Sequence, residues 1–331
     1  MSEIILKNSL VLDKNIDNVI EHFLNSYNSN QTKKRYKKVL KEFFSQKNIK
    51  SLKDLANFHI SEIKDFCLNF IYSKAKYEDS KSDIILNPAT INNSAYTLRA
   101  FFKYLVNYYD YPKNPLWDFK ALKTKEFSTT NSLDRWELIE ILKEAKREFF
   151  AILFKSAYTK KQLSKLRNYL IFSFLALSLR REEIVNMRWE DLKEDSYFLI
   201  HQKWWSYKYI PIPRGLLDFL LKYKEEKFKN NFCSPFVFTP FYNPYSKDFN
   251  KPISADYIVE ITQKMCKKLN INKKITPHSF RKTFIEISLN KNENYNNIMN
   301  ATGHKNPQMI KYYDYRDKIK NNAINGFEDI F

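Results

Sequence analysis

The last third of the chain carries side chains that could transfer a phosphoryl group. His278 lies three residues before Arg281. Farther along, His304 follows Gly303, and Tyr313 lies nine residues after that histidine. A phenolic oxygen can attack a phosphodiester, and cations can stabilise the charge that develops on the phosphate oxygens. No carboxylate cluster accompanies these residues in the sequence, so they make a poor metal site, and the pattern predicts phosphoryl transfer by a tyrosine. We expect no cofactor, because a phosphotyrosine bond would conserve the energy for rejoining the strand.

The net charge indicates which phosphate the chain handles. Its 331 residues include 56 Lys and Arg against 37 Asp and Glu, a formal net charge of +19. A surplus of this size favours binding to a polyanion, and a nucleic acid is the natural one. The 3 Gly and 11 Pro are few, which favours helices over turn-rich sandwiches and barrels. We therefore expect a mainly α protein that acts on DNA.

The cysteines and the first residues bear on the compartment. Cys67, Cys233 and Cys266 lie far apart and show no paired spacing, which is typical of reduced thiols. The segment MSEIILKNSL lacks a signal-peptide pattern, and no apolar run is long enough to cross a bilayer. We expect a protein of the prokaryotic cytoplasm, associated with the nucleoid and with no membrane partner.

Apolar residues at helical spacing divide the chain into two predicted domains. Successive amphipathic helices occupy residues 1–118, and residues 119–131 form a polar predicted linker. Helical patterning resumes in residues 132–331, where β-prone runs around residues 197–201 and 209–212 indicate a hairpin. The predicted fold is mainly α with a small β-hairpin or sheet, arranged as a two-domain clamp around DNA.

Two helical segments of the N-terminal domain present cations and amides on their polar sides, within residues 33–41 and 92–103. A solvated surface is the simpler interpretation for any single lysine, but the two clusters together indicate phosphate-binding faces. Amides and a tyrosine beside the cations also suit contacts to sugars and groove edges. The predicted DNA-contacting residues are Lys33, Lys34, Arg35, Lys37, Asn92, Asn93, Tyr96 and Arg99.

Arg180 lies at the end of a buried helical run and just before a new helix. An unpaired cation at the edge of an apolar core is costly. Arg180 is therefore either salt-bridged, with Glu183 as the nearby partner, or held for an anionic ligand. The sequence leaves both interpretations open.

These motifs together resemble those of the tyrosine recombinase and integrase family. Residues 179–192 are similar to the first arginine box of the family. Residues 278–284 are similar to its histidine–x–x–arginine box, and residues 303–313 are similar to its nucleophile box. Lys203, eight residues before Pro211, falls where the family places its catalytic lysine. The N-terminal helices, with a Thr-Ile-Asn box at residues 90–92, resemble the family's core-binding domain. The resemblance covers nearly the whole chain.

The resemblance implies a role for each matched side chain. Tyr313 would attack the scissile phosphate and leave a 3′-phosphotyrosyl DNA with a free 5′-hydroxyl. The two arginines and His304 would contact the phosphate oxygens, a task that suits planar guanidinium forks. His278 would accept the tyrosine proton, and Lys203 would protonate the departing 5′ oxygen. The implied catalytic set is Arg180, Lys203, His278, Arg281, His304 and Tyr313.

The chain departs from the family pattern without losing a catalytic group. Ser178 stands where a glycine usually precedes the leucine–arginine pair, and Lys282 where a histidine often follows the second arginine. Gln202 and Trp204 flank the hairpin lysine at positions where glycines are common.

Two of the assigned residues have rivals close by in the sequence. Tyr312 precedes Tyr313, although the spacing from the histidine of the nucleophile box favours the latter. Lys208 lies on the same predicted hairpin as Lys203 and is the rival for the catalytic lysine.

The resemblance implies a site-specific recombinase that exchanges DNA strands through a Holliday junction. Its partners would be double-stranded DNA with an inverted-repeat site and further copies of itself, a dimer on each site and a tetramer in the synapse. An accessory protein is left open, as is the choice between Xer-like chromosome-dimer resolution and movement of a mobile element. The competing interpretations are a type IB topoisomerase, acting as a monomer, and a non-catalytic DNA-binding protein on the same fold.

Three apolar residues lie at the end of the chain. Phe327, Ile330 and Phe331 are spaced i, i+3 and i+4, which would place them on one face of a short helix. Such a face needs a partner surface, either on its own domain or on a neighbouring protomer. In the family such tails typically dock on a neighbour, and we expect docking in trans here.

Overall fold

The computed structural model describes most of the chain, which divides into two compact units. The described residues are 14–73, 76–79, 82–86, 88–123, 130–151, 159–193, 196–202, 206–241 and 249–314, with the backbone alone described for 76–79 and 82–86. One unit spans Met1–Lys125 and the other Glu126–Phe331. Helices dominate both units, and each contains one small antiparallel sheet. This confirms the predicted mainly α class.

Five helices and a β-hairpin form the described part of the N-terminal unit. The helices are α1 (Ile16–Asn25), α2 (Asn30–Gln46), α3 (Leu52–Ala56), α4 (Ile60–Ser73) and α5 (Pro88–Tyr108). The hairpin pairs β1 (Lys76–Asp79) antiparallel with β2 (Ser82–Leu86). This hairpin was not predicted, because its first strand reads Lys-Tyr-Glu-Asp and has no alternation of apolar and polar residues.

Aromatic rings fill the core of the N-terminal unit. Phe23 on α1 packs edge-to-face against Phe101 on α5, with ring centroids 5.3 Å apart. Phe43 on α2 packs in the same way against Phe70 on α4, at 5.3 Å. Burying a ring of this size contributes roughly 1.5–3 kcal/mol. The same packing leaves the opposite sides of α2 and α5 to polar side chains.

The C-terminal unit is built around one buried helix. Its described helices are α6 (Arg135–Phe150), α7 (Lys160–Ala176), α8 (Arg181–Val185), α9 (Arg214–Lys229), α10 (Ala255–Lys268), α11 (Pro277–Asn290), α12 (Tyr295–Thr302) and α13 (Pro307–Lys311). Helix α7 packs against α6, α8, α9 and α11. Leu170, Ile171 and Phe174 of α7 are all fully buried, so this helix is apolar on more than one face. Its C-terminal end leads directly into the segment that carries Arg180.

A three-stranded antiparallel sheet lies beside these helices, in the order β3 (Leu192–Lys193), β4 (Tyr197–His201) and β5 (Tyr207–Pro211). Burial alternates along β5, so Lys208 and Ile210 face the interior while Tyr207 and Tyr209 face out. Lys208 pairs in register with Ile200 of β4. The strand thus directs a lysine, rather than an apolar residue, into the protein. Within the described residues, no helix combines the length and apolar character needed to span a bilayer.

Candidate active site

The ring of Tyr313 is packed into a small apolar cluster beside α13. Ile285, Leu289, Ile298 and Ile310 surround it, and the tyrosine is 6% exposed. Its hydroxyl lies 3.1 Å from Nε2 of His278. Packing holds the ring, and therefore the hydroxyl, in one position.

Tyr312, the rival of Tyr313 in the sequence, is placed differently. It is 37% exposed, and its ring meets that of Tyr313 edge-on at 5.6 Å. Its side chain lies outside the apolar cluster that surrounds Tyr313. The structure therefore brings Tyr313, and not Tyr312, against a histidine.

His278 lies in the first turn of α11 and is suited to receive a proton. Burial lowers the pKa of its imidazole, and the neighbouring Arg281 and Arg180 lower it further. The ring is therefore neutral at neutral pH. Burial raises the pKa of the Tyr313 phenol, so this hydroxyl needs a base to act as a nucleophile. The 3.1 Å contact places such a base at the required atom.

Arg281 is held almost wholly inside the protein by backbone carbonyls. It is 1% exposed; its Nη1 donates to the carbonyl of Ser178 at 2.9 Å, and its Nη2 donates to that of Thr302 at 2.5 Å. Its Nε–H, also buried, has no hydrogen-bond partner among the residues that the structure describes. Burial and then the charge of Arg180 lower the pKa of the guanidinium to about 10, so it remains a cation at neutral pH. Arg281 therefore holds a fixed positive charge inside the site.

Ser178 occupies a backbone conformation that favours glycine. Its φ is +71°, in the left-handed region, which costs a residue with a side chain roughly 1–2 kcal/mol. This conformation explains why a glycine is usual at this position in the family, since a glycine would adopt it without strain. The serine hydroxyl donates to the carbonyl of Ala301 at 3.2 Å, a bond that a glycine could not make. The strained residue also supplies the carbonyl that holds Arg281.

The protonation of His304 follows from its partners. The hydroxyl of Thr302 donates to the carbonyl of Ile298 at 2.6 Å, so its oxygen accepts from Nδ1 of His304 at 2.9 Å. The unprotonated Nε2 then accepts from Nη2 of Arg281 at 3.1 Å. Burial, followed by the charge of Arg281, lowers the pKa of this imidazole to about 3. His304 is therefore neutral, and it must bind a proton at Nε2 before that atom can donate to a phosphate.

Gly303 allows the close approach of two active-site segments. Its φ of +71° ends α12 in the left-handed conformation typical of a helix C-terminus. A Cβ at this position would lie 1.9 Å from Nε2 of Gln202, so that side chain would have to move. One of the 3 glycines in the chain therefore lies directly before His304, where the backbone meets Gln202 just after β4.

Arg180 is salt-bridged and also accessible, which confirms the first interpretation of the sequence and leaves its role towards an anionic ligand a prediction. It is the N-cap residue of α8, and its Nη1 donates to Oε1 of Glu183 at 2.7 Å. The side chain nevertheless remains 40% exposed. The same carboxylate accepts from Nζ of Lys208 at 2.9 Å. Arg180 can therefore keep this partner and still present donors to a ligand.

Of the two candidate lysines, Lys208 is the one whose placement is described. Its side chain is 3% exposed, and its Nζ lies between Glu183 and the carbonyl of Ala301. Burial lowers the pKa of Lys208 to about 8, an effect that Glu183 partly offsets. Lys203 lies outside the described residues. Its assignment as the catalytic lysine stays a prediction.

The predicted DNA-contacting residues on α2 are largely accessible. Lys34 and Arg35 are exposed, and neither has an ion-pair partner among the described side chains. Lys33 is partly exposed, whereas Lys37 forms an ion pair with Glu21. The first two are therefore the strongest candidates for phosphate contacts on this helix.

On α5 the structure corrects one prediction. Asn92 is 8% exposed, its Nδ2 donates to the carbonyl of Leu122 at 2.9 Å, and its Oδ1 accepts from the same residue's N–H at 2.9 Å. The prediction that Asn92 contacts DNA is wrong, because its amide is consumed in fixing the chain beyond α5. Asn93 and Tyr96 are exposed, and Arg99 donates to the carbonyl of Trp117 at 3.0 Å.

Comparison with known proteins matches the C-terminal unit to a family model. Residues 146–319, more than half of the chain, match the model of the phage integrase family. The tyrosine recombinase XerC of Pediococcus pentosaceus is 23% identical over 248 residues, which cover 70% of this chain and 72% of that protein. A tyrosine recombinase of Agathobacter rectalis is 23% identical over 274 residues, covering 82% and 86%.

Solved structures share the fold at low sequence identity. The Tn1549 transposon integrase (residues 82–397), in complex with circular intermediate DNA, superposes with a TM-score of 0.61 at 18% identity, covering 95% of this chain and 99% of that one. The XerH site-specific recombinase, bound to a palindromic difH substrate, gives a TM-score of 0.64 at 16% identity, covering 98% and 91%. The family model spans all the boxes from Arg180 to Tyr313, and the chain belongs to the phage integrase family.

Proposed function

We propose that this chain is a site-specific tyrosine recombinase. It would cleave and rejoin DNA through a 3′-phosphotyrosyl intermediate and exchange strands through a Holliday junction. Family membership supports this, as do relatives that include recombinases bound to their DNA substrates. The observation that carries the proposal is the hydroxyl of Tyr313, 3.1 Å from a neutral His278, in a site that also contains Arg281.

The proposed chemistry uses the residues in a defined order. Tyr313 Oη attacks the scissile phosphorus as its proton passes to Nε2 of His278, and the bond from phosphorus to the 5′ oxygen breaks. Arg180 and Arg281 stabilise the charge on the non-bridging oxygens. Arg281 remains a cation inside the site and contributes its charge from there. The leaving 5′ oxygen takes a proton from a hairpin lysine, for which Lys203 is our proposal.

The direct test of the proposal is covalent capture. In a duplex with a nick close to the cleavage point, attack releases a short fragment that carries the new 5′-hydroxyl. The loss of this fragment prevents religation and traps the adduct. The site itself must first be found, by footprinting the protein on the DNA that surrounds its own gene. We expect an inverted repeat and a denaturation-resistant adduct on the strand end that carries the 3′-phosphate. An inverted repeat that is bound without any adduct would favour a non-catalytic DNA-binding protein.

Salt should weaken DNA binding steeply if the basic faces contact phosphates. With ~6–10 phosphates contacted per protomer, affinity should fall by about 10³–10⁵ between 50 and 200 mM salt, because counterions are released on binding. The N-terminal unit would serve as the core-binding domain, residues 1–118, and contribute part of these contacts. Filter binding or fluorescence anisotropy across the salt series measures the slope, and a nearly flat slope would contradict the proposal.

Two variants test which residues contribute to the slope of log affinity against log salt concentration. Replacing Lys34 and Arg35 together by Gln should reduce its magnitude by roughly two, since each lost phosphate contact removes about 0.9. Lys64 is the matched control in the same unit, because its Nζ is already neutralised by Asp118 at 2.7 Å. Lys64→Gln should leave the slope unchanged.

Assembly is the part of the proposal that separates a recombinase from a monomeric topoisomerase. The tail residues Phe327, Ile330 and Phe331 lie outside the described residues, and we propose that they dock on a neighbouring protomer. Burying them would contribute ~1.5–3 kcal/mol each before ordering costs. Deleting residues 323–331 should leave binding to a half-site intact and abolish cooperative filling of the second half-site.

Two measurements on the truncated protein decide between docking in trans and in cis. Gel-shift titration on a full inverted repeat reports cooperativity, and a thermal melt reports the stability of the protein alone. Lost cooperativity with an unchanged Tm supports docking on a neighbour. A lowered Tm with intact cooperativity would mean that the tail packs on its own domain.

A further inference from the structure

Lys208 is a buried cation that takes no part in the chemical steps proposed above. Its side chain is 3% exposed, and its ammonium group bonds to two acceptors of the protein itself. Burying a lysine is costly unless hydrogen bonds and an opposite charge compensate. The alternation of β5 directs it inward, next to Ile210. An apolar residue would suit that core position better, so the lysine calls for a functional explanation.

The partners of Lys208 all belong to segments of the active site. Its Nζ donates to Oε2 of Glu183 at 2.9 Å and to the carbonyl of Ala301 at 3.3 Å. Glu183 lies on α8, three residues after Arg180, and Ala301 lies at the end of α12, three residues before His304. One ammonium group thus connects the segments that carry two of the proposed phosphate-binding residues.

The carboxylate of Glu183 collects four donors. Besides Lys208, it accepts from the backbone N–H of Arg180 at 2.9 Å, from Nη1 of Arg180 at 2.7 Å, and from Nε2 of Gln202 at 3.3 Å. Burial alone would raise the pKa of Glu183, but Lys208 and the N–H of Arg180 outweigh it and hold the pKa below its ordinary value. The carboxylate is therefore ionised, and its charge is shared between two cations.

This sharing determines how much positive charge Arg180 can offer a phosphate. Arg180 and Glu183 alone would form a neutral pair. With Lys208 as the second cation on the same carboxylate, the three side chains carry a net charge of one positive unit. The carbonyl of Ala301 adds the negative end of the α12 dipole as a further partner for the ammonium.

We propose that Lys208 is a positioning residue of the active site, a buried ammonium that neutralises Glu183 so that Arg180 keeps its charge for the scissile phosphate. The same contact anchors the end of α12 ahead of His304. Lys208 acts through Glu183 and does not touch the DNA. This inference rests on the proposed cleavage of DNA, which the wild-type protein must perform.

A charge-restoring pair of variants tests the inference. Lys208→Met leaves Arg180 and Glu183 as a neutral pair, and we expect adduct formation to slow by roughly 10- to 100-fold at saturating protein. Adding Glu183→Gln removes the opposing carboxylate and returns the net charge to one positive unit. The double variant should recover at least about tenfold of the lost rate, a coupling that independent sites do not show.

Lys227 provides the matched control. It is also a buried lysine of the C-terminal unit, 2% exposed, with its Nζ bonded to the carbonyls of Phe236 and Val237 at 3.1 Å each. It has no carboxylate partner among the described residues and lies outside the proposed site. Lys227→Met should lower the Tm and leave the rate of adduct formation unchanged. The comparison separates the effect of losing any buried ammonium group from the effect of losing that of Lys208.

The dependence of the rate on pH is a second, independent measurement. Lys208 faces Glu183 and Arg180 on the α8 side, Arg281 on α11 and His304 after α12. Burial lowers the pKa of Lys208 to about 8, so its cationic form is lost as the pH rises through about 8. The second-order rate constant for cleavage by the wild-type protein should therefore fall as the pH rises through about 8. The double variant, Lys208→Met with Glu183→Gln, should show no such fall.

The outcomes distinguish the two proposals. A wild-type protein that forms no adduct contradicts the proposed function, and this inference with it. Given a wild-type adduct, an unchanged rate in Lys208→Met overturns the inference, and so does a slow single variant that the second substitution does not rescue. If Lys208→Met fails to fold, the pH profiles of the wild-type protein and the double variant decide: a fall near pH 8 that persists in the double variant overturns the inference.

Discussion

Tyr313→Phe should abolish the covalent protein–DNA adduct while leaving DNA binding nearly intact. The substitution removes only the oxygen that would attack the phosphate and donate its proton to His278. The ring remains in its apolar cluster with Ile298 and Ile310, so the local packing is preserved. Trapping on a nicked substrate, followed by denaturing electrophoresis, measures the adduct, and gel shift measures binding.

Tyr312→Phe is the matched control for this experiment. The neighbouring ring is 37% exposed and lies outside the cluster that holds Tyr313. Its loss of a hydroxyl should leave the yield of adduct unchanged. An adduct formed by Tyr313→Phe but not by Tyr312→Phe would transfer the role of nucleophile to Tyr312.

Arg281→Ala and Arg180→Ala should each slow cleavage by on the order of 100-fold or more, roughly 3 kcal/mol, the scale of losing one preorganised charge-stabilising donor. Affinity for DNA at moderate salt should fall much less, because other cations contact the backbone. Single-turnover cleavage at saturating protein separates the two effects. A loss confined to affinity, with a normal rate at saturation, would contradict both assignments.

The two arginines should differ in their effect on stability. Arg281 is 1% exposed and holds the carbonyls of Ser178 and Thr302, so Arg281→Ala leaves buried acceptors unpaired and should lower the Tm. The side chain of Arg180 is 40% exposed, and its removal should change the Tm little. Arg181→Ala is the control, because this neighbour is 42% exposed and pairs with Glu182 at 3.4 Å. It should cleave at the wild-type rate.

Helix positions followed from the sequence more closely than helix starts and short strands. The sequence predicted a helical segment at residues 33–41, and the structure begins this helix at Asn30, with Ser29 as the N-cap accepting from the N–H of Thr32. Several polar residues in a row can each cap a helix, and packing selects among them. The β1–β2 hairpin was missed because a short polar strand has no periodic signal, whereas β4 and β5, rich in aromatic and β-branched residues, had one.

The sequence by itself determined the class of the fold and the identity of the reactive groups. Their types and spacing are covalent facts, and an imidazole, a guanidinium and a phenol have fixed chemical capacities wherever they lie. The formal charge of +19 follows from composition alone. The predicted assignment of Asn92 to a DNA surface failed because the sequence does not show where an amide points. An amide that binds a sugar and one that holds Leu122 look identical in the sequence.

Only the tertiary structure decided which of these groups meet. It placed Tyr313 against His278, although the two are 35 residues apart, and left Tyr312 partly in solvent. It kept Arg180 both paired and exposed, and it turned Lys208 towards Glu183. Each outcome depends on contacts between segments distant in sequence, and on burial, which alters the pKa of a group only once those contacts exist. Local spacing contains no information about such partners, so the protonation of His278 and His304 emerged only when the chain was folded.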